Sequence, residues 1–284
     1  MPNRAATRLS HAERVDRVLA HLGRYLDENH DLDTLSAIAA FSPFHFHRVY
    51  RAAMGETPDD TVRRLRLDRA AGELRHGARD MASVASRAGY GSPEAFRRAF
   101  ATRYGVSPEN FRAAPPLAPT AKPTRQETIA MDVTLEAFPA TTLIGLDHVG
   151  DYNAIGATFD RVAASAGAHG LAGPATRVFG IYFDDPESVE AGRLRSFAGF
   201  SVPDGTLAPA PLRLHAMPAT RVASVTFQGP YTELRGVYDW LFGVWLPASG
   251  QEPGDSPCHE EYLNSPRDLP PAEWLTRVRL PLKG

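Results

Sequence analysis

The chain repeats itself twice, at two different spacings, and these repeats limit what it can fold into. In the first 113 residues an offset of 50 aligns Ser42-Pro43 with Ser92-Pro93, Phe46 with Phe96, and Arg48 with Arg98. The same offset aligns Tyr50 with Phe100, Gly55 with Gly105 and Pro58 with Pro108. In the second half an offset of 79 aligns Pro139-Ala140-Thr141 with Pro218-Ala219-Thr220, Gly150 with Gly229, and Tyr152 with Tyr231. It continues through Ile155 and Leu234, Phe159 and Tyr238, and Val162 and Leu241. A length of 284 residues suits about two domains. Between the repeats, residues 113–124 read AAPPLAPTAKPT, a proline-rich segment expected to be a stiff, extended linker. The expected organisation is a domain over 1–112, a linker over 113–130 and a second domain over 131–284.

Charge divides at the same place. Residues 1–113 hold 18 Arg against 14 acidic residues, a net +4, whereas residues 114–284 hold 13 basic and 19 acidic residues, a net −6. A basic half beside an acidic one suits a nucleic-acid-binding part joined to a part that does not bind nucleic acid. Of the basic residues 29 are Arg and 2 are Lys, an excess that runs into the second half and so is not explained by DNA binding alone. One cysteine, Cys258, excludes an intrachain disulfide framework and a multi-cysteine zinc site. No run reaches the roughly 20 apolar residues of a bilayer crossing and the N-terminus lacks an apolar signal core, so a cytoplasmic location without membrane partners is expected.

Each copy of the first repeat opens as a helix should: Ser can cap the free backbone donors and Pro suits the first helical position. Phe46, Val49, Tyr50 and Ala53 fall at i, i+3, i+4, i+7 and make a core stripe, which places Phe44, His47, Arg48 and Arg51 roughly opposite. The second copy buries a stripe beginning Phe96, Ala99, Phe100 and turns Glu94, Arg97, Arg98 and Ala101 outward. A short apolar helix and a turn precede each copy, Leu35–Ala39 with Ala40-Phe41 and Met81–Ala88 with Gly89-Tyr90. These are two helix-turn-helix units, each with a polar face able to enter a major groove. Between them Thr57-Pro58-Asp59-Asp60 has the form of a capping box opening a helix to about Leu74. A rod of roughly 25 Å could hold two reading helices near one DNA turn apart, about 34 Å.

Residues 8–113 thereby resemble the DNA-binding domain of AraC/XylS-type transcription regulators. The resemblance rests on Leu35-Ser36-x-x-Ala39-Ala40-Phe41-Ser42, Phe46-x-Arg48-x-Tyr50, Gly55-x-Thr57-Pro58 and Arg66-Leu67-x-x-Ala70. The second copy adds Val84-Ala85-x-x-Ala88-Gly89-Tyr90, Phe96-x-Arg98-x-Phe100 and Gly105-Val106-Ser107-Pro108-x-x-Phe111-Arg112. Ala40 departs from the family, which usually has Gly in that turn because Gly tolerates positive φ. The resemblance implies double-stranded DNA as a partner, contacted by Phe44, His47, Arg48, Arg51, Glu94, Arg97 and Arg98, and RNA polymerase as a second. Arg can bridge guanine O6 and N7 or bind phosphate. Glu94 could accept from cytosine or pair with Arg97 or Arg98. Arg63, Arg64, Arg66 and Arg69 on the connecting helix divide between phosphate contacts and ion pairs within the domain.

The second half alternates β-rich runs such as TTLIGLDHV, RVFGIYF and TRVASVTF with helical spacing over 153–168 and 231–246. Each copy of its repeat reads as strand, Gly-x-Tyr turn and amphipathic helix. Two such units related by pseudo-twofold symmetry would set their helices on one face of a sheet and a cleft on the other. Together with Cys258-His259-Glu260-Glu261-Tyr262-Leu263-Asn264-Ser265-Pro266 and a last strand over Thr276–Leu282, residues 131–283 resemble the GyrI-like small-molecule-binding domain. The fold class expected is thus an all-α double helix-turn-helix domain followed by an α+β domain of repeated strand–helix units.

That resemblance implies an acidic residue in an aromatic pocket, where charge and cation–π attraction together hold a cation. By motif register the acid is Glu260, with Glu261 turned the other way along a strand; both as exposed edge charges is the plainer reading. Tyr152, Tyr182, Tyr231, Trp240 and Trp245 are the aromatics that could line the cleft or simply fill the core, and Trp274 reads as structural. The partner implied is a small-molecule effector, hydrophobic or cationic. His45 and His47 lie about 200° apart on a helix and His259 beside Cys258 lacks two further ligands, so neither a metal nor a cofactor is expected. Some GyrI-like proteins hydrolyse reactive ring compounds, so a hydrolase or a sequestering protein for toxic molecules is the alternative reading. Attachment to a DNA-binding region favours sensing, with no catalytic residue.

Overall fold

A computed structural model describes residues 4–75, 80–113, 131–173 and 176–284, with side chains from residue 11 onward. The Pro-rich segment expected to link the domains, 114–130, lies outside the described residues. The chain forms two compact units, Met1–Val15 with Leu32–Gly55 and Ile129–Gly284, and Asp16–Asp31 with Glu56–Thr128. Packing therefore does not follow the expected boundary after residue 112. The first helix-turn-helix, Leu32–Gly55, belongs to the same unit as the second half of the chain.

Among the described residues of the first half there are seven helices: α1 (Arg4–Arg24), α2 (Leu32–Ala39), α3 (Pro43–Met54), α4 (Pro58–Arg75), α5 (Met81–Arg87), α6 (Pro93–Tyr104) and α7 (Pro108–Ala113). In the second unit, Leu67, Ala70, Ala71 and Leu74 of α4 share a core with Val84, Ala85, Phe96, Phe100 and Phe111. Thr57 opens α4 as the sequence indicates, its Oγ1 accepting the Asp60 amide at 3.1 Å and donating to the Asp60 carboxylate at 2.8 Å. Ser92 caps α6 through the Ala95 amide. Ser42 makes no side-chain cap on α3. Gly55 and Gly105 end α3 and α6 at φ 71° and 74°. At the α2–α3 turn Ala40 adopts φ 54° where the matching turn has Gly89 at φ 84°, so Ala40 sits in a left-handed conformation that costs a side-chain-bearing residue roughly 1–2 kcal/mol.

The second half contributes β1 (Thr134–Phe138), β2 (Thr141–Val149), α8 (Gly156–Ala168), β3 (Val178–Tyr182), β4 (Arg195–Val202), β5 (Arg213–Met217) and β6 (Thr220–Gln228). It closes with α9 (Leu234–Trp240), which continues through a π-helical turn (Leu241–Trp245) into α10 (Leu246–Ser249), then β7 (His259–Tyr262) and β8 (Leu275–Leu282). The strands form one sheet in the order β1-β6-β8-β7-β3-β4-β2-β5, paired antiparallel throughout. That order reads as two equal halves meeting at β7 and β3, where Gly180 faces Glu260 and Val178 faces Tyr262. The duplication inferred from the offset of 79 is thus a pseudo-twofold in space. Each half exchanges its first strand, β1 pairing β6 and β5 pairing β2.

The sheet curls. Three strands separate β1 from β3, so a flat sheet would set them about 19 Å apart, yet the rings of Phe138 and Phe179 lie 6.3 Å apart. Phe138, Leu143, Phe179, Ile181, Phe197, Met217 and Val222 fill this inner face. On the other face α8 packs on Ile144, Leu146, Phe200 and Val202.

Candidate functional site

Alternation along β7 decides what its two acids do. Glu260 and Tyr262 point to the face that carries α8 and α9; His259 and Glu261 point into the curl. Glu261 accepts from Arg177 at 2.6 and 2.9 Å and lies 2.7 Å from Arg279. Burial opposes its charge, but these two guanidinium groups prevail and hold the carboxyl down to about 2. His259, packed 4.8 Å from the Phe138 ring, is kept neutral chiefly by burial, at about 3. This side is a structural ionic core.

Glu260 lies 4% exposed at the base of a cluster of rings. Tyr238 from α9 donates to its Oε1 at 3.0 Å and Tyr262 to its Oε2 at 2.9 Å. Tyr182 meets Tyr262 hydroxyl to hydroxyl at 2.6 Å; with the Tyr262 proton given to Glu260, Tyr182 is the donor. Around them stand Tyr152 against Tyr182 (4.8 Å), Phe159 from α8 against Tyr262 (5.4 Å), Tyr231 against Tyr262 (5.2 Å) and Trp274 against Tyr231 (4.4 Å). Tyr152, Phe159, Tyr231, Tyr238, Tyr262 and Trp274 keep partial exposure while the acid beneath them has almost none. Burial raises the Glu260 carboxyl to about 7, against the pull of the two phenols and of the Arg48 charge. Such a carboxyl takes or gives up a proton near neutral pH, and a cation placed over it would favour the charged form. Gly180, opposite Glu260, is needed here: a Cβ on it would lie 2.9 Å from both Tyr182 and the Tyr262 hydroxyl.

The expected cleft therefore lies on the same face as the helices, not on the opposite one, because the curled face is already filled by its own core. Of the aromatics singled out in the sequence, Tyr152, Tyr182 and Tyr231 join Glu260. Trp240 and Trp245 make no ring contact or hydrogen bond with this cluster among the described residues. Tyr238, Tyr262, Phe159 and Trp274 belong to it and were not expected there. Two of these were within reach: Tyr262 shares a strand face with Glu260 two residues away, and Tyr238 lies seven residues, about two helical turns, beyond Tyr231. Among the described residues no three His, Cys, Asp or Glu side chains converge on a metal site.

Helices α3 and α6, expected from the sequence to face DNA, are placed differently. On α6, Glu94 and Arg98 are exposed; Arg97 pairs with Glu94 at 3.2 Å and Glu109 at 2.7 Å. Arg98 makes no side-chain hydrogen bond or ion pair among the described residues. On α3 the matching face is covered. Arg48 is 5% exposed, its guanidinium 4.8 Å over the Tyr238 ring and 5.6 Å over Phe242, and it donates to the Asp184 carbonyl at 3.4 Å. Arg51 pairs with Asp185 at 3.5 Å and Asp239 at 2.5 Å. Phe44 lies 6.2 Å from Phe183, and the buried His45 lies 5.7 Å from Phe242. His47 is partly buried, 5.5 Å from Phe46. The open polar face expected of Phe44, Arg48 and Arg51 is thus closed in this structure. Of the connecting-helix arginines, Arg64 pairs with Glu56, Arg69 with Asp27 and Arg63 with Asp60, while Arg66 donates to the Leu26 carbonyl.

Two family models match the chain, one on each side of the Pro-rich segment. The GyrI-like small molecule binding domain matches residues 131–283 and a helix-turn-helix domain matches residues 35–114. The DNA gyrase inhibitor of Edwardsiella piscicida is 30% identical over 168 residues, 54% of this chain and 99% of that protein. The HTH-type transcriptional regulator Rv1931c of Mycobacterium tuberculosis is 38% identical over 85 residues, 30% of this chain; the chain spans only 33% of that regulator. Regulatory protein SoxS of Escherichia coli strain K12 is 27% identical over 104 residues, 37% of this chain and 97% of that protein. Among solved structures, the EcmrR C-terminal domain is similar over 55% of this chain and 99% of that one, at 20% identity and a TM-score of 0.46.

Proposed function

The chain belongs to the GyrI-like small molecule binding domain family over residues 131–283, and on that footing we propose that it is a DNA-binding transcription regulator that senses an amphipathic cation at Glu260. The observation that carries the sensing half is one acid, almost wholly buried, held by two phenol donors at the base of a partly open aromatic wall. Rings of this kind attract a cation through their faces, and a buried carboxylate supplies the charge that a neutral guest would leave unmatched. The DNA-binding half is supported by the helix-turn-helix match. Phe44, His47, Arg48 and Arg51 of α3, with Glu94, Arg97 and Arg98 of α6, are its DNA contacts, reading an asymmetric promoter site across two major grooves. RNA polymerase is the further partner, and the protein acts in the cytoplasm, holding its guest without turning it over.

The test is a thermal-shift and calorimetric comparison of tetraphenylphosphonium with its neutral analogue triphenylphosphine oxide on the full chain. The cation is expected to bind and stabilise, the neutral analogue to do so weakly, and Glu260→Gln to erase the difference. Equal binding of both molecules by the wild type would overturn the cation reading. A guest chemically altered after long incubation would favour the hydrolase alternative, in which the Glu260 carboxyl, poised at about 7, would serve as a general base. For the DNA half, a site selected from random duplexes should be lost on Arg48→Ala with Arg98→Ala while the protein stays folded.

A further inference from the structure

The aromatic site already holds a positive charge, and it belongs to the chain. Arg48 lies over the ring of Tyr238, the same phenol that donates to Glu260, and its charge acts on the Glu260 carboxyl. Two segments that build the site also seat α3. Along the first, Tyr182 lines the site, Phe183 meets Phe44, the Asp184 carbonyl accepts from Arg48, and Asp185 pairs with Arg51. Tyr152 accepts from the Asp184 amide at 3.1 Å, so this segment is also tied to the aromatic wall. Along the second, Tyr238 lines the site, Asp239 pairs with Arg51, and Phe242 packs on Arg48 and His45.

We infer that Arg48 is a tethered cation standing in the effector's electrostatic place, so that an effector cation and the docked α3 compete for Glu260 and its tyrosines. This rests on the cation reading above. One buried carboxylate can balance one cation, and a second brought beside Arg48 meets like-charge repulsion where water screens little. A guest that settles on Glu260 therefore expels Arg48, and with it the α3 face that carries Phe44 and Arg51. That face is also the one expected to read DNA, so the effector frees it. Linkage requires the reverse: DNA that takes up Arg48 raises affinity for the effector by the same factor.

The experiment uses the full chain and two readouts, calorimetric affinity for tetraphenylphosphonium and hydrogen exchange of the amides of residues 43–54. Arg48→Met keeps the length and removes the charge; it should tighten binding by on the order of tenfold, within the usual range of coupling between sites. In the wild type, tetraphenylphosphonium should speed exchange across residues 43–54. Glu260→Gln should speed the same exchange with no ligand present, because the acid whose carboxyl feels the Arg48 charge is gone. Unchanged or weaker affinity in Arg48→Met, with Glu260→Gln losing the ligand, would overturn the tethered cation and leave the effector reading standing. Cation binding absent from the wild type and from Arg48→Met alike would overturn the effector reading; exchange unmoved in ligand-free Glu260→Gln would overturn the link between Arg48 and Glu260.

Discussion

Helices α3 and α6 are one sequence pattern written twice, and the molecule uses the two copies differently. Each begins with Ser-Pro, buries an aromatic pair (Phe46 with Tyr50, Phe96 with Phe100) and ends on a left-handed glycine. The arginine in the same register is exposed on α6 and buried on α3. What differs is the outer face and what covers it: Arg51, whose counterpart is Ala101, meets Asp185 and Asp239, and Arg48 lies over Tyr238 and Phe242. A repeat in sequence fixes a shared local structure, and burial of its polar face is decided by residues more than a hundred positions away.

The comparison can be broken first at the cores. Phe46→Ala and Phe96→Ala should each lose about 3–5 kcal/mol in chemical unfolding, as full deletion of a buried aromatic ring does; a marked inequality would end the equivalence of the two copies. Next comes acid. His45 on α3 has Ala95 as its counterpart on α6, and burial holds His45 down at about 3 against an ordinary 6.5. Between those values the unfolded chain binds the proton and the folded one does not, so stability falls as pH drops from 6.5 toward 3. His45→Asn should flatten that fall; His259, His30 and His215 keep contributions of the same sign, and Glu260 acts in the opposite sense. A melting series of variant against wild type from pH 8 to 4 reads the difference. Arg51→Ala should cost about 1–3 kcal/mol, since it leaves an Asp185 side chain only 4% exposed with the Glu187 amide and Ser188 hydroxyl but no cation. Removing Arg97, whose partners Glu94 and Glu109 are 71% and 47% exposed, should leave the unfolding midpoint unmoved. The smallest effect lies in the turns: Ala40→Gly should gain roughly 0.5–1 kcal/mol by relieving its left-handed backbone, and Gly89→Ala should lose about as much or more.

Local features were legible in the sequence. The Ser-Pro helix starts, the Thr57 capping box and the duplicated strand–helix units all follow from short-range chemistry, and each stands in the structure where the residues put it. Strand alternation places Glu260 and Glu261 on opposite faces, and it was the motif register of the resemblance, not alternation, that chose Glu260. Tyr182 and Tyr231 were within reach as aromatics, but choosing them over Trp240 and Trp245 needed the strand order, which sequence does not give. The sequence expectation put the cleft on the wrong face because the curl, which fills that face with its own core, depends on long-range strand pairing that leaves no periodic signal. The burial of Arg48 was illegible for the same reason. Its i, i+3, i+4 stripe marks a polar face, and a polar face reads the same whether it meets water, DNA or an acid on another element.

The pseudo-twofold brings Tyr182 and Tyr262 together at the middle of the site, but places Glu260 across from Gly180. A cage built nearly symmetric thus has its carboxyl at one end only, and one hydroxyl chain runs from Tyr182 through Tyr262 to that acid, to which Tyr238 also donates. Such a site is a socket with polarity. On the proposed cation reading, a guest with one charged end would enter in a single orientation, whereas a symmetric dication would have to strand its second charge over a glycine.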